Sequence, residues 1–210
     1  MAKNPERRVM LTDAAVDVLA HEGARGLTFR AVDARAGVPV GTASNYFSSR
    51  DDLMMQTGAR ISSRMTPDPA QVEQIMLAAP SRELVAELMH WLIRRMTDDR
   101  TGYLAMLELR LEATRRPDLR TQLTRTVRAG FEESLSFHRD RGLPGDPDAV
   151  LVLYLAMTGV LLEHFTLPDM LGVGGREPPG GGGVTPVKPA RERPPPTTPA
   201  RRGRRSPPTA

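Results

Sequence analysis

Residues 28–47 constrain the fold more than any other part of the chain. Phe29, Val32 and Ala36 recur at i, i+3 and i+7, which makes one apolar helical face. Gly37 stops that helix. Val38-Pro39 leads at once into a second short helix whose inward residues are Ala43 and Phe47. Two short amphipathic helices joined by a tight glycine-containing turn form a helix-turn-helix. On DNA, the second helix of such a unit lies in the major groove while the first braces it across the backbone. Its outer face must then be small and polar, as Thr42, Ser44 and Asn45 are, with Tyr46 also projecting away from the apolar side. Gly41 lets the start of the helix approach DNA closely.

The flanks carry matching signals. Asn4-Pro5-Glu6 reads as a helix start: Asn caps, Pro suits the first helical position, and Glu favours the positive end of the dipole. Leu11, Ala15, Val18 and Leu19 then give one buried stripe, and Gly23 ends the helix. Thr28 opens the next helix. Ser48-Ser49 caps a further one, with Asp51 and Asp52 in its first turn, and that helix runs to about Met65 before Pro67 and Pro69 mark a boundary. Residues 5–65 are the predicted DNA-binding domain.

At these residues the sequence resembles the TetR family of bacterial transcriptional regulators. The resemblance rests on Gly26-Leu27-Thr28, the turn Ala36-Gly37-Val38, the pair Tyr46-Phe47 and the run Ser49-Arg50-Asp51-Asp52-Leu53. It implies that Thr28 caps the second helix and touches a phosphate. Val40, Gly41, Thr42, Ser44 and Asn45 meet the major groove, and Tyr46 meets a phosphate or a base edge. Arg50 takes the place of a family lysine that binds phosphate. Two departures weaken base readout: Ser44 stands where the family often has Tyr, and Pro39-Val40 supplies no hydrogen bond. The residues leave bland readings open as well, with Tyr46 a core aromatic beside Phe47 and Arg50 a solvated charge.

Residues 70–171 read as helices throughout. One helix covers Arg82 to Thr97 with Leu84, Leu88, Trp91 and Leu92 inward. Another covers Tyr103 to Thr114 with Leu104, Leu107 and Leu111 on one face. A long one, about 117–141, carries the stripe Leu119, Leu123, Val127, Phe131, Leu135 and His138. The last, about 147–167, is apolar nearly all round. Its longest near-apolar run, 149–162, falls short of the roughly 20 residues a membrane span needs, so it reads as buried in protein. A helix apolar on every side must be covered on every side, and a twofold partner does that. The fold class is therefore all-α: an N-terminal three-helix helix-turn-helix domain with a C-terminal helical bundle, to which the family resemblance assigns ligand binding and dimerisation.

The family resemblance implies a homodimer through those last two helices, a palindromic double-stranded operator and a small-molecule effector that changes the separation of the two heads. Repression is likewise implied by the family alone. Candidate effector-binding residues are Trp91, Tyr103, Met106, Leu107, Arg110, Phe131 and Met157, and the plain alternative for each is an ordinary core or surface position.

Other chemistry finds little support. There is no cysteine, which excludes disulfides and thiolate chemistry and fits a reducing cytoplasm. His21, His90, His138 and His164 show no metal-ligand spacing, and the glycine-rich stretch after residue 172 lacks the Lys-Ser/Thr of a phosphate loop. No enzyme, cofactor or membrane role is expected. The net charge of +4 misleads: residues 172–210 hold eight basic and two acidic groups, while residues 51–171 hold 14 basic and 18 acidic. The Pro/Gly/Arg-rich tail, 172–210, is expected to be disordered, since it has little apolar surface to offset its ordering entropy. We read it as inert, with sequence-independent phosphate contact as the alternative. The rival to a DNA-binding regulator is a helical interaction module whose helix-turn-helix is only scaffold.

Overall fold

Asn4 begins the first helix by accepting the Glu6 and Arg7 amides on its side chain, at 2.9 and 3.3 Å. The computed structural model describes residues 4–171; the tail reading of 172–210 lies outside the described residues. Among the described residues there are nine α-helices, a closing 3₁₀ turn (Pro168–Leu171) and no strand. The helices are α1 (Pro5–Gly26), α2 (Phe29–Arg35), α3 (Thr42–Tyr46), α4 (Arg50–Met65), α5 (Pro69–Ile75), α6 (Arg82–Asp98), α7 (Arg100–Ala113), α8 (Pro117–Asp140) and α9 (Pro147–Thr166).

Most helix starts follow from a capping side chain. Thr28, Ser49, Asp68, Ser81, Asp99 and Asp146 each accept a backbone amide of the first turn they precede. Pro occupies the first turn of α1, α5, α8 and α9, where its missing N–H costs nothing. Gly23 does not end α1 outright. It breaks it at φ 69° and ψ −179°, and one more turn follows before Leu27.

The main core joins the two predicted domains. Leu11, Ala15, Val18 and Leu19 of α1 are fully buried, as the stripe required. They pack with Val32, Ala43, Phe47, Leu53 and Ile61 of the head and also with Ala105, Leu109 and Leu123 of α7 and α8. The most extensive helix pair is α1 with α7. Such a contact favours small residues, because helix axes come closer where side chains are short. This corrects the face expected for α7. Ala105, Met106, Leu109 and Ala113 form its buried side, whereas Leu111 is 59% exposed and Leu104 and Leu107 are turned toward α9.

Two smaller clusters complete the interior. Leu84, Leu88 and Leu143 hold α6 to the turn after α8, while Trp91 and Leu92 are only half-buried. Tyr103, Leu161 and Phe165 hold α7 to α9. The α8 stripe is buried at both ends, through Leu119, Leu123 and His138, but half-exposed at Val127, Phe131 and Leu135.

α9 departs most from expectation. It spans 20 residues, and by length and composition it is apolar enough to cross a membrane, with a mean hydropathy of 1.7. Within one chain only Val150, Leu161 and Phe165 are buried. Leu151, Val152, Leu155, Val160 and Leu162 form an exposed apolar surface.

Candidate nucleic-acid interface

The head presents α3 by anchoring its inner side. Ala43 is fully buried and Phe47 nearly so, in the core under α1 and α4. With those two positions fixed, helical geometry turns Ser44 and Asn45 outward, and both are exposed. Val40, just before the helix, is 81% exposed. Thr42 and Tyr46 are half-buried at its two ends.

The polar groups of this surface are ordered but not used up. The Thr42 hydroxyl donates to the Pro39 carbonyl at 2.6 Å and the Ser44 hydroxyl to the Gly41 carbonyl at 2.8 Å. Each hydroxyl keeps its acceptor lone pairs for an incoming donor. Thr28 is exposed and accepts the Ala31 amide at 3.1 Å, so it caps α2 while its hydroxyl proton stays available. Gly41 stands at φ 93°, a left-handed conformation that residues with a Cβ rarely adopt. An added Cβ there meets nothing within 4 Å, so the backbone conformation explains this glycine better than close approach within the chain does.

Arg50, expected to bind phosphate, has its guanidinium engaged with backbone carbonyls in the free chain. Its Nε donates to the Leu27 carbonyl at 2.9 Å and its Nη2 to the Ala24 carbonyl. The guanidinium thus straps the end of α1, where the break at Gly23 leaves carbonyls without helical partners. Arg8, which sequence reasoning missed, packs at the end of α3. Its guanidinium stands 5.7 Å from the Tyr46 ring centre and 5.8 Å from that of Phe47, and it donates to Gln56. Nothing local to Arg8 signals this, because α1 and α3 meet only in three dimensions.

Asp52 closes the network behind Arg8. It accepts the Ser48 amide at 2.8 Å and the Gln56 amide at 2.7 Å, while Ser49 caps the Asp52 amide. Burial pushes the Asp52 carboxyl up, but the hydrogen bonds from Gln56 and Ser48 and the charge of Arg8 outweigh it and hold the carboxyl below its ordinary value.

The candidate effector residues are not gathered into one cavity. Met106 lies in the main core, and Tyr103 stacks at 5.0 Å on Phe165 with its hydroxyl donating to the Thr158 carbonyl at 3.3 Å. Arg110 and Phe131 converge on Tyr154, at 3.5 Å from its hydroxyl and 5.3 Å from its ring centre respectively. Leu107 packs with Tyr103 against Leu161 and Phe165, and Trp91 stands half-buried on α6. Of the expected set, only Met157 lines the open groove of about 350 Å³ between α6 and α9, with Met89, Ile93, Leu153 and Val160.

Comparisons with known proteins agree with this geometry. The model described as "Bacterial regulatory proteins, tetR family" matches residues 11–56, and that of the "Tetracyclin repressor-like, C-terminal domain" matches residues 80–184. The nicotine-responsive transcriptional repressor HdnoR of Paenarthrobacter nicotinovorans is 23% identical over 170 residues, 78% of this chain and 86% of that protein. A TetR-family member from Streptomyces coelicolor A3 shares 31% identity, covers 76% of this chain and 87% of its own, and superposes with a TM-score of 0.56. The multidrug binding protein EbrR, solved with ethidium, shares 30% identity over 79% of this chain and 91% of its own, with a TM-score of 0.57. A helix-turn-helix anchored from below by Ala43 and Phe47, followed by a helical C-terminal region that matches along its length, places the chain in the TetR family of transcriptional regulators.

Proposed function

We propose that this regulator is a ligand-responsive repressor that binds a palindromic operator as a homodimer in the cytoplasm. The observation that carries the reading is the outer face of α3. Ser44, Asn45 and Val40 are exposed beside Thr42 and Tyr46, on a helix whose inner face is locked in the core. Thr42, Ser44 and Asn45 read base edges, Val40 supplies an apolar contact, and Thr28 and Tyr46 hold phosphates. Arg50 supports the site from behind.

Dimerisation through α8 and α9 is supported by the apolar surface that α9 leaves uncovered. Gly159 on α9 and Gly130 on α8 have nothing within 4 Å of where a Cβ would stand, which leaves room for a partner helix. For the effector, the groove between α6 and α9 offers Met89 and Met157, flexible side chains that adapt to apolar ligands. EbrR was solved with ethidium, and HdnoR is named as nicotine-responsive. A small apolar or aromatic molecule is the expected class here too. Its binding shifts the α6–α9 arrangement and the spacing of the heads, so both half-sites can no longer be met at once.

The test is a shift assay with the full chain, without ligand, on the DNA upstream of its own coding sequence at physiological salt. A shift that Thr42→Ala with Tyr46→Ala abolishes supports the reading. No shift on that or any other genomic fragment removes it.

A further inference from the structure

The turn between α2 and α3 is fixed at both ends by one residue. Asp33 is 1% exposed. Its backbone carbonyl accepts the Val38 amide at 3.0 Å, while the Gly37 amide donates to the Ala34 carbonyl at 3.2 Å and Gly37 sits at φ 64°. That pair of bonds is how a helix ends at a left-handed glycine. The Asp33 carboxylate runs the opposite way. Oδ2 accepts the Gly41 amide and Oδ1 the Ala43 amide, both at 2.7 Å. These amides open α3, and Gly41, at the capping position, has no side chain to satisfy them. Asp33 therefore closes α2 and caps α3.

A carboxylate in this environment needs a reason. Burying one is costly unless its oxygens are paired. Both partners here are backbone amides at the start of the recognition helix, so the compensation depends on where α3 sits. α3 has only five residues and is too short to hold its position by its own bonds. Ala43 and Phe47 fix its depth, and Asp33 fixes the start of its axis.

We infer that Asp33 is a positioning residue for DNA recognition, setting the angle and register at which α3 enters the major groove without touching DNA. Base readout needs donors and acceptors held closely in place, whereas phosphate contacts tolerate displacement. Loss of this grip should cost sequence discrimination more than docking. Charge alone predicts the reverse: removing an anion beside a DNA-binding helix tightens binding to any duplex. The inference rests on operator binding by α2 and α3, and the experiment separates the two.

The full chain first selects a duplex from a random-sequence library, and binding to that duplex and to a scrambled one is measured by anisotropy. Asp33→Asn keeps the shape but turns a donor toward one of the two amides. Its affinity for the selected duplex should fall by about tenfold or more, while that for the scrambled duplex holds or rises. Retained affinity for the selected duplex, or an equal loss on both, overturns the inference. Amide hydrogen exchange on the wild-type chain tests it without a variant. Gly41 and Ala43 should exchange slowly, and a Gly41 amide exchanging as fast as exposed loop overturns the inference even if Asp33→Asn fails to fold. Selection of no sequence by the wild-type chain strikes the operator reading instead.

Discussion

The Glu108 carboxylate of α7 accepts the Ala24 amide at 3.2 Å, directly at the break in α1. Arg50 of α4 takes the Ala24 carbonyl from the other side. Both backbone groups of one residue are thus held by side chains from two other helices. The segment they hold, 24–27, leads straight into Thr28 and the helix-turn-helix. α7 also contributes Tyr103 to the cluster with α9 and Arg110 to the group around Tyr154. A movement of α7 therefore bears directly on the root of the DNA-binding head.

Arg50 separates a structural strap from a phosphate contact. Arg50→Ala removes the guanidinium from the Leu27 carbonyl and leaves the Ala24 carbonyl with the Leu27 amide alone, and it should lower stability by about 1–3 kcal/mol in urea unfolding. Lysine has three donors but on one strongly hydrated nitrogen without the guanidinium's fixed fork, so Arg50→Lys should recover only part of the loss. The salt dependence of DNA binding is the decisive readout. Losing a phosphate contact lowers the slope by about 0.9; we expect the slope to stay unchanged in the folded variants.

Packing of α4 against α7 and α8 gives a paired prediction of opposite sign. Leu109 is fully buried, and Leu109→Ala should cost about 2–5 kcal/mol. Gly58 on α4 faces Leu109 and Leu123, and a Cβ there stands 3.5 Å from each side chain, an ordinary contact. Gly58→Ala should therefore fit and gain up to about 1 kcal/mol of helix propensity. Chemical denaturation of both variants checks the pair, and destabilisation by Gly58→Ala would show the contact to be tighter than described.

What could be read from the chain alone follows the range of the forces involved. Asn4, Thr28 and Ser49 act on amides two or three residues away, so their helix starts are written locally. The face of α7 is not. Leu104, Leu107 and Leu111 stand out by size, but the close approach of α1 selects Ala105 and Ala113, and no local pattern announces that neighbour. Asp33 does leave a trace in the sequence. It sits at i+4 from Phe29, on the side of α2 that carries Val32 and Ala36, where a charge is out of place unless something buried needs it. The bonds of Arg50 to the Ala24 and Leu27 carbonyls are not legible either, because resemblance carries a residue's position but not the direction of its side chain. The candidate effector residues lie on four helices, and whether they meet depends on helix packing that periodicity does not encode.

Acid should weaken the joint between the head and α7. A hydrogen bond from Arg116 lowers the Glu112 carboxyl below its ordinary value; burial opposes this, and the charges of Arg116, Arg50 and Arg115 add to the lowering. Asp52 is also lowered. A carboxyl lowered in the folded state binds its proton more readily when unfolded. Its stabilisation is complete above the unfolded pKa of about 4–4.5 and disappears as pH falls through the lower folded value. The urea midpoint should be flat above that range and drop below it. Glu112→Gln should make the drop shallower; a drop as steep as in the wild type would remove Glu112 from the account.

α9 supplies the prediction that reaches furthest into assembly. Val152 and Leu155 are 63% and 56% exposed in the single chain, so neither holds the chain's own core together. They lie three residues apart, on neighbouring turns of one helical face. Glutamate at both positions should leave the chain folded but place charges where a second copy would bury its apolar surface. In sedimentation the wild type should have the mass of two chains, and Val152→Glu with Leu155→Glu that of one 23.0 kDa chain. DNA affinity should fall with the mass even though no DNA-facing residue has changed, because the second head would no longer be held at high effective concentration beside the first. A double variant that keeps the wild-type mass would place the dimer contact on another surface and leave α9 to be covered by something else.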